Sequence, residues 1–97
     1  MAAPRAVLSA DALRRHTDHA PDWKVVDKHI ARTFQFPDFL QALAFVNRVG
    51  AVAERQGHHP DIHLTWGRVD IESWTHDAGG ITEKDFQLAA EIDLLKT

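Results

Sequence analysis

The chain has 97 residues, 44% of them hydrophobic and 26% charged, a length and mixture that suit one small folded domain over residues 1–97 and exclude a disordered tail. A formal charge of -3 provides no broad basic footprint, so direct nucleic-acid binding through phosphates is not expected. With no cysteine there is no disulfide framework, thiolate zinc site or cysteine nucleophile, which fits a reducing compartment.

Residues 1–12 carry no export signal, and no apolar run reaches the roughly 18 residues of a membrane helix. A cytoplasmic location without membrane contact is therefore expected. Ser9 ahead of Ala10, Asp11, Ala12 and Leu13 predicts a helix N-cap with an acid in the first turn, and Pro21 closes that short helix. Residues 23–27 and 30–36 carry β-branched and aromatic side chains around a polar turn, which predicts a hairpin, although Arg32 interrupts the apolar alternation. Asp38 then caps the longest predicted helix, whose apolar positions Phe39, Leu43, Val46, Val49 and Ala53 recur every three or four residues, with Leu40, Ala42 and Phe45 widening the stripe.

Gly57 stands where a helix ends in the left-handed conformation, and Pro60 holds His59 to extended backbone angles. His58 and His59 thus fall at a helix-to-strand junction. A second hairpin follows: Ile62, Leu64 and Trp66 alternate with His63 and Thr65, Gly67-Arg68 turns, and Val69, Ile71, Ser73 and Thr75 alternate with Asp70, Glu72, Trp74 and His76. Thr82 to Asp85 opens the last helix, with Phe86, Ala89, Ile92 and Leu95 on one side. The order α-β-β-α-β-β-α predicts an α+β two-layer sandwich, a four-stranded antiparallel sheet with helices on one face. Because an open sheet has edges to cover, a homodimer or higher homo-oligomer is expected.

The chemistry concentrates in Glu54-Arg55-Gln56-Gly57-His58-His59-Pro60, with Trp66, Thr75-His76 and Asp85 downstream. Imidazoles exchange protons near neutrality, so clustered histidines point to proton transfer or metal binding. Four residues apart on one helix face, Glu54 is placed to hold His58, and the negative end of the helix dipole suits His58 to a general acid role. If the end of the last strand lies beside the junction, His76 meets His58, and two imidazoles flanking a small substrate serve an elimination or dehydration.

Simpler explanations exist for each residue. A His-His pair in a polar turn is often just exposed, Glu54 is often a solvated helix partner, and Thr82-x-x-Asp85 is close to a capping box. Trp66 is expected in the core and Trp74 near His76, whereas His16, His19, His29 and His63 have no special spacing. Zinc binding by His58, His59, His63 and His76 is the rival chemistry, but adjacent histidines before a proline diverge, and neither an H-E-x-x-H helix nor a cysteine pair is present.

Across almost its whole length the sequence resembles the pterin-4a-carbinolamine dehydratases, known in animals also as dimerisation cofactors of a homeodomain transcription factor. Glu54, His58-His59-Pro60, Trp66, Thr75-His76 and Asp85 carry the resemblance through several coupled spacings. It implies dehydration of 4a-hydroxytetrahydropterin to quinonoid dihydropterin after an aromatic amino acid hydroxylase has turned over. By the same resemblance His58 and His76 are acid and base, His59 positions the pterin, and Glu54 orients the histidines. Pro60, Thr75, Asp77 and Ala78 would line the pocket, with Asp85 and Trp74 in support. A homodimer or homotetramer is implied, with no metal or prosthetic group. Ile62 and Trp74 depart from the animal pattern, which has an aromatic and a small hydroxyl residue there. The alternative is a non-catalytic dimerising or coactivator module.

Overall fold

A computed structural model describes residues 6–96; residues 1–5, part of the stretch read for an export signal, and residue 97 lie outside it. Seven elements follow in the predicted order: α1 (Ala10–His19), β1 (Lys24–Val26), β2 (His29–Gln35), α2 (Phe39–Gln56), β3 (Asp61–Thr65), β4 (Arg68–Ser73) and α3 (Glu83–Leu95). No helix among the described residues is long and apolar enough to cross a membrane.

Each helix begins where its side chains can satisfy otherwise unpaired backbone N–H groups. The Ser9 hydroxyl accepts from the Ala12 N–H at 3.2 Å, and the Asp38 carboxylate accepts from the Gln41 N–H at 2.8 Å. In α2 the buried residues Ala42, Phe45, Val49, Val52 and Ala53 form one stripe, the spacing that turns a single helix face to the core. Gly57, at φ 65°, ends α2 in the left-handed conformation, which a side chain would disfavour. The His58 N–H then bonds back to the Ala53 carbonyl at 3.1 Å, so the chain reverses inward immediately after the helix.

The antiparallel sheet has strand order β1-β2-β4-β3, so the two hairpins join through β2 and β4. Ile30 pairs with Ser73, Arg32 with Ile71, and Phe34 with Val69. Ile30, Phe34, Val69, Ile71 and Ser73 are buried, whereas Thr33, Gln35, His63, Thr65 and Arg68 are exposed. That alternation is the signature of helices covering one face only. Phe45 is the centre of the core, its ring 4.7 Å from Phe34 and 5.0 Å from Phe36.

Arg32 occupies a core-facing position in β2 without disrupting it. Its guanidinium lies 4.3 Å over the Phe34 ring and reaches Asp93 Oδ1 at 2.6 Å, an oxygen that also accepts from the Trp23 indole N–H at 2.9 Å. The charge is met on both sides, as a half-buried cation requires. Trp66 departs from the expectation of a core residue: it is 68% exposed. Pairing between β3 and β4 ends at Thr65 and Arg68, so Trp66 falls in the turn, past the last position at which alternation directs a side chain inward. Gly67 fills that turn because an added Cβ would stand 2.7 Å from the Phe36 carbonyl oxygen.

Candidate active site

Three separate segments meet where α2 ends: the Gly57 to His59 turn, the stretch after β4, and the first turn of α3. Past Ser73, β4 gives way to a single bridge between Thr75 and Gly80, with the chain turning between them. His76 therefore lies in a turn just beyond the strand rather than in it. Thr82 and Asp85 form the anticipated capping box at α3, Thr82 capping Lys84 and Asp85 accepting the Thr82 N–H.

Asp85 also does more than cap. It is completely buried, and its Oδ1 accepts from His58 Nε2 at 2.6 Å and from the Ser73 hydroxyl at 2.5 Å. Its Oδ2 accepts from the Thr75 hydroxyl and the Thr82 N–H, both at 2.9 Å. The Thr82 hydroxyl in turn lies 2.7 Å from that of Thr75. Four donors thus occupy the acceptor positions of one carboxylate, and because a carboxylate only accepts, His58 carries a hydrogen on Nε2. Nδ1 is left as the exchangeable position on a ring that is only 7% exposed. A carboxylate behind an imidazole fixes its tautomer and orientation and stabilises the cation formed when it takes up a proton.

The expected pairing of Glu54 with His58 is replaced by another. Glu54 bonds to His59 Nε2, and Asp85 takes His58. The four-residue spacing assumed a continuing helix, whereas Gly57 turns His58 toward the core and leaves His59 beside Glu54 at the exposed rim. The His76 imidazole stacks on the Trp74 indole, with ring centroids 4.1 Å apart and planes at 30°.

Gly57, His58, His59, Trp74, Thr75, His76 and Asp77 line one cleft of about 210 Å³. All three histidines of the motif therefore share a cavity, whereas Pro60 and Ala78 fall outside its lining. The volume is below the roughly 300–1,000 Å³ of pockets enclosing drug-sized ligands, and suits a small planar ring left partly open to water. A larger hollow of about 560 Å³ on the open sheet face holds Thr33, Arg68 and Asp70, but these groups are bonded to one another. The Thr33 hydroxyl, at 2.5 Å, and then Arg68 hold the Asp70 carboxyl below the usual carboxylate range, against the opposing effect of burial. The histidine cleft, which gathers three imidazoles in one lining, is the candidate site.

Ser73 is the site residue that motif reasoning passed over. Its signal was present, since it shares a face with Val69 and Ile71, and a hydroxyl forced into the core needs a buried partner.

A family model for pterin 4 alpha carbinolamine dehydratase matches residues 6–95. The chain belongs to that family. A provisionally named pterin-4-alpha-carbinolamine dehydratase from Chlorobium limicola is 53% identical over 87 residues, 86% of this chain and 77% of the relative. Another, from Rubrobacter xylanophilus, is 49% identical over 89 residues, 91% of this chain and 83% of the relative. Among solved structures, a transcriptional coactivator/pterin dehydratase from Brucella melitensis superposes with TM-score 0.89 at 29% identity, covering 94% of this chain and 99% of that one. A pterin dehydratase-like protein identified as a RuBisCO assembly factor of the alpha-carboxysome gives TM-score 0.63 at 25% identity, over 76% of this chain and 86% of that one.

Proposed function

We propose that the protein dehydrates a 4a-hydroxytetrahydropterin to the quinonoid dihydropterin, regenerating the pterin used by an aromatic amino acid hydroxylase. The observation that carries this reading is the shared cleft of His58, His59 and His76, with a buried carboxylate behind His58.

Loss of water from the carbinolamine needs two proton transfers. Hydroxide leaves C4a poorly, so an acid protonates the 4a-oxygen. The C4a–O bond then breaks with its electron pair on the departing water, while the N5 lone pair forms the C4a=N5 double bond. A base removes the N5 proton, and solvent returns the acid and base to their starting states. His58 acts as the acid through Nδ1, with Asp85 steadying Nε2; His76, in the lining of the same cleft, acts as the base. His59, braced by Glu54, sits against the pterin edge. The cycle takes place in the cytoplasm, and the open edges of β1 and β3 make a homodimer or homotetramer the expected assembly.

Stopped-flow measurement with chemically generated 4a-hydroxytetrahydropterin tests this. Wild-type protein should accelerate water loss, and His58→Ala and His76→Ala should each lower kcat/KM by about 100- to 10,000-fold while circular dichroism stays unchanged. Wild-type protein that leaves the uncatalysed rate unaltered would refute the dehydratase reading. The names of the two structural neighbours, a coactivator and an assembly factor, favour an interaction module as a second reading. That reading calls for a stable partner complex indifferent to both histidine changes.

A further inference from the structure

Each of the three imidazoles in the cleft is held differently. His58 is fixed by the buried Asp85, His59 by the exposed Glu54, and the exposed His76 lies against the Trp74 indole. His76 occupies the turn closed by the Thr75 to Gly80 bridge. A side chain in an exposed turn samples several rotamers, so a base working there needs something to select one of them.

Trp74 is placed to do this. It lies between Ser73 and Thr75, whose hydroxyls both bond to Asp85, at 2.5 Å and 2.9 Å. The Thr75 N–H is pinned as well, to the Gly80 carbonyl at 2.9 Å. The backbone on either side of Trp74 is therefore tied to the same carboxylate that orients His58. Ser73 and Thr75 are buried, whereas Trp74 and His76 both line the cleft, where their rings meet. Their near-parallel stack is a favoured aromatic geometry, and an indole face also attracts an imidazolium.

We propose that Trp74 is a positioning residue, its indole face holding the His76 imidazole at a fixed place relative to His58 so that both proton transfers reach one bound pterin. This inference rests on the dehydratase reading and adds a role to a residue outside the histidine motif. It makes the frame Asp85, Ser73, Thr75, Trp74 a single rigid connection between acid and base.

The test compares Trp74→Phe, which keeps an aromatic face, with Trp74→Leu, which keeps apolar bulk without one. Thermal melts confirm folding, and the His76 ring-proton resonances, assigned by their loss in His76→Gln, report the stack independently of activity. Displacing a reacting group by about 1 Å can cost about 100-fold, so Trp74→Leu should lower kcat by about 10- to 100-fold with KM nearly unchanged. The His76 ring protons should then move downfield as the indole ring current disappears. Trp74→Phe should keep most of the rate. Equal kcat in the two variants, or a rise in KM alone, would overturn the positioning role and leave the dehydratase reading standing. A wild-type protein without dehydratase activity would end both, with the stack still visible in the spectrum.

Discussion

Asp85→Asn is the sharpest single perturbation this structure offers, because it keeps the shape of the side chain and removes its charge. The carboxylate accepts four buried hydrogen bonds, two on each oxygen. Bonds to a charged group contribute about 1.5–3 kcal/mol and neutral ones about 0.5–1.5, so the loss is about 1 kcal/mol per bond. The amide also brings a donor where only acceptors fit. If its NH2 faces Thr82, a backbone N–H is orphaned, at a cost of about 1–3 kcal/mol. If it faces His58, the imidazole must move its hydrogen to Nδ1. Allowing for rotation of the Ser73 and Thr75 hydroxyls, the expected destabilisation is about 3–5 kcal/mol, against a total of about 5–15 kcal/mol for a chain of this size. The variant should therefore fold, with Tm lowered by about 12 °C or more. Urea denaturation at 25 °C measures the energy, and nitrogen-15 shifts of the His58 ring report its tautomer. A loss below about 1 kcal/mol with the hydrogen still on Nε2 would show that the network around Asp85 does not hold His58 as described.

Two further expectations concern the rest of the molecule. Phe45→Ala, removing the ring between Phe34 and Phe36 at a fully buried site, should cost about 3–5 kcal/mol in the same denaturation experiment; a cost under about 1 kcal/mol would contradict the packing described. Acid should destabilise the fold through carboxyls held low in the native state: Asp70 by its hydrogen bond from Thr33, and Glu91 by hydrogen bonds from Arg55 and Gln56. Their contributions are complete above the unfolded values, near 3.9 for Asp and 4.3 for Glu, and fade as pH falls through the lower native ones. Between about pH 4 and 2, stability of the Asp70→Asn and Glu91→Gln variants should therefore fall less steeply than that of the wild type. Parallel curves would remove these carboxyls from the acid response.

Local signals made most of the architecture legible. The caps at Ser9, Asp38 and Thr82, the stop at Gly57 and Pro60, and the alternation in β4 depend on neighbours within a few residues, and each appears where the sequence places it. The stripe of α2 is met only in part, since Val49 and Ala53 are buried but its expected first residue, Phe39, is exposed and the buried face runs through Ala42, Phe45 and Val52 instead. The coupled spacings of the histidine motif identified the family. The errors arose where a local rule was carried past an element's end. Helix spacing assigned Glu54 to His58 although the chain has already reversed at Gly57. Strand alternation assigned Trp66 to the core although β3 stops at Thr65.

By itself the sequence determined the elements, their order, and the inventory of imidazoles and carboxylates. Which of these groups meet was decided only when β2 and β4 paired and brought the first turn of α3 against the end of α2. Asp85 and His58 are 27 residues apart in the chain. Their contact depends on how helices pack over a sheet, and no periodicity of the sequence encodes that distance. The same packing gives Asp85 its four donors, because removing a carboxylate from water obliges the fold to surround it with partners.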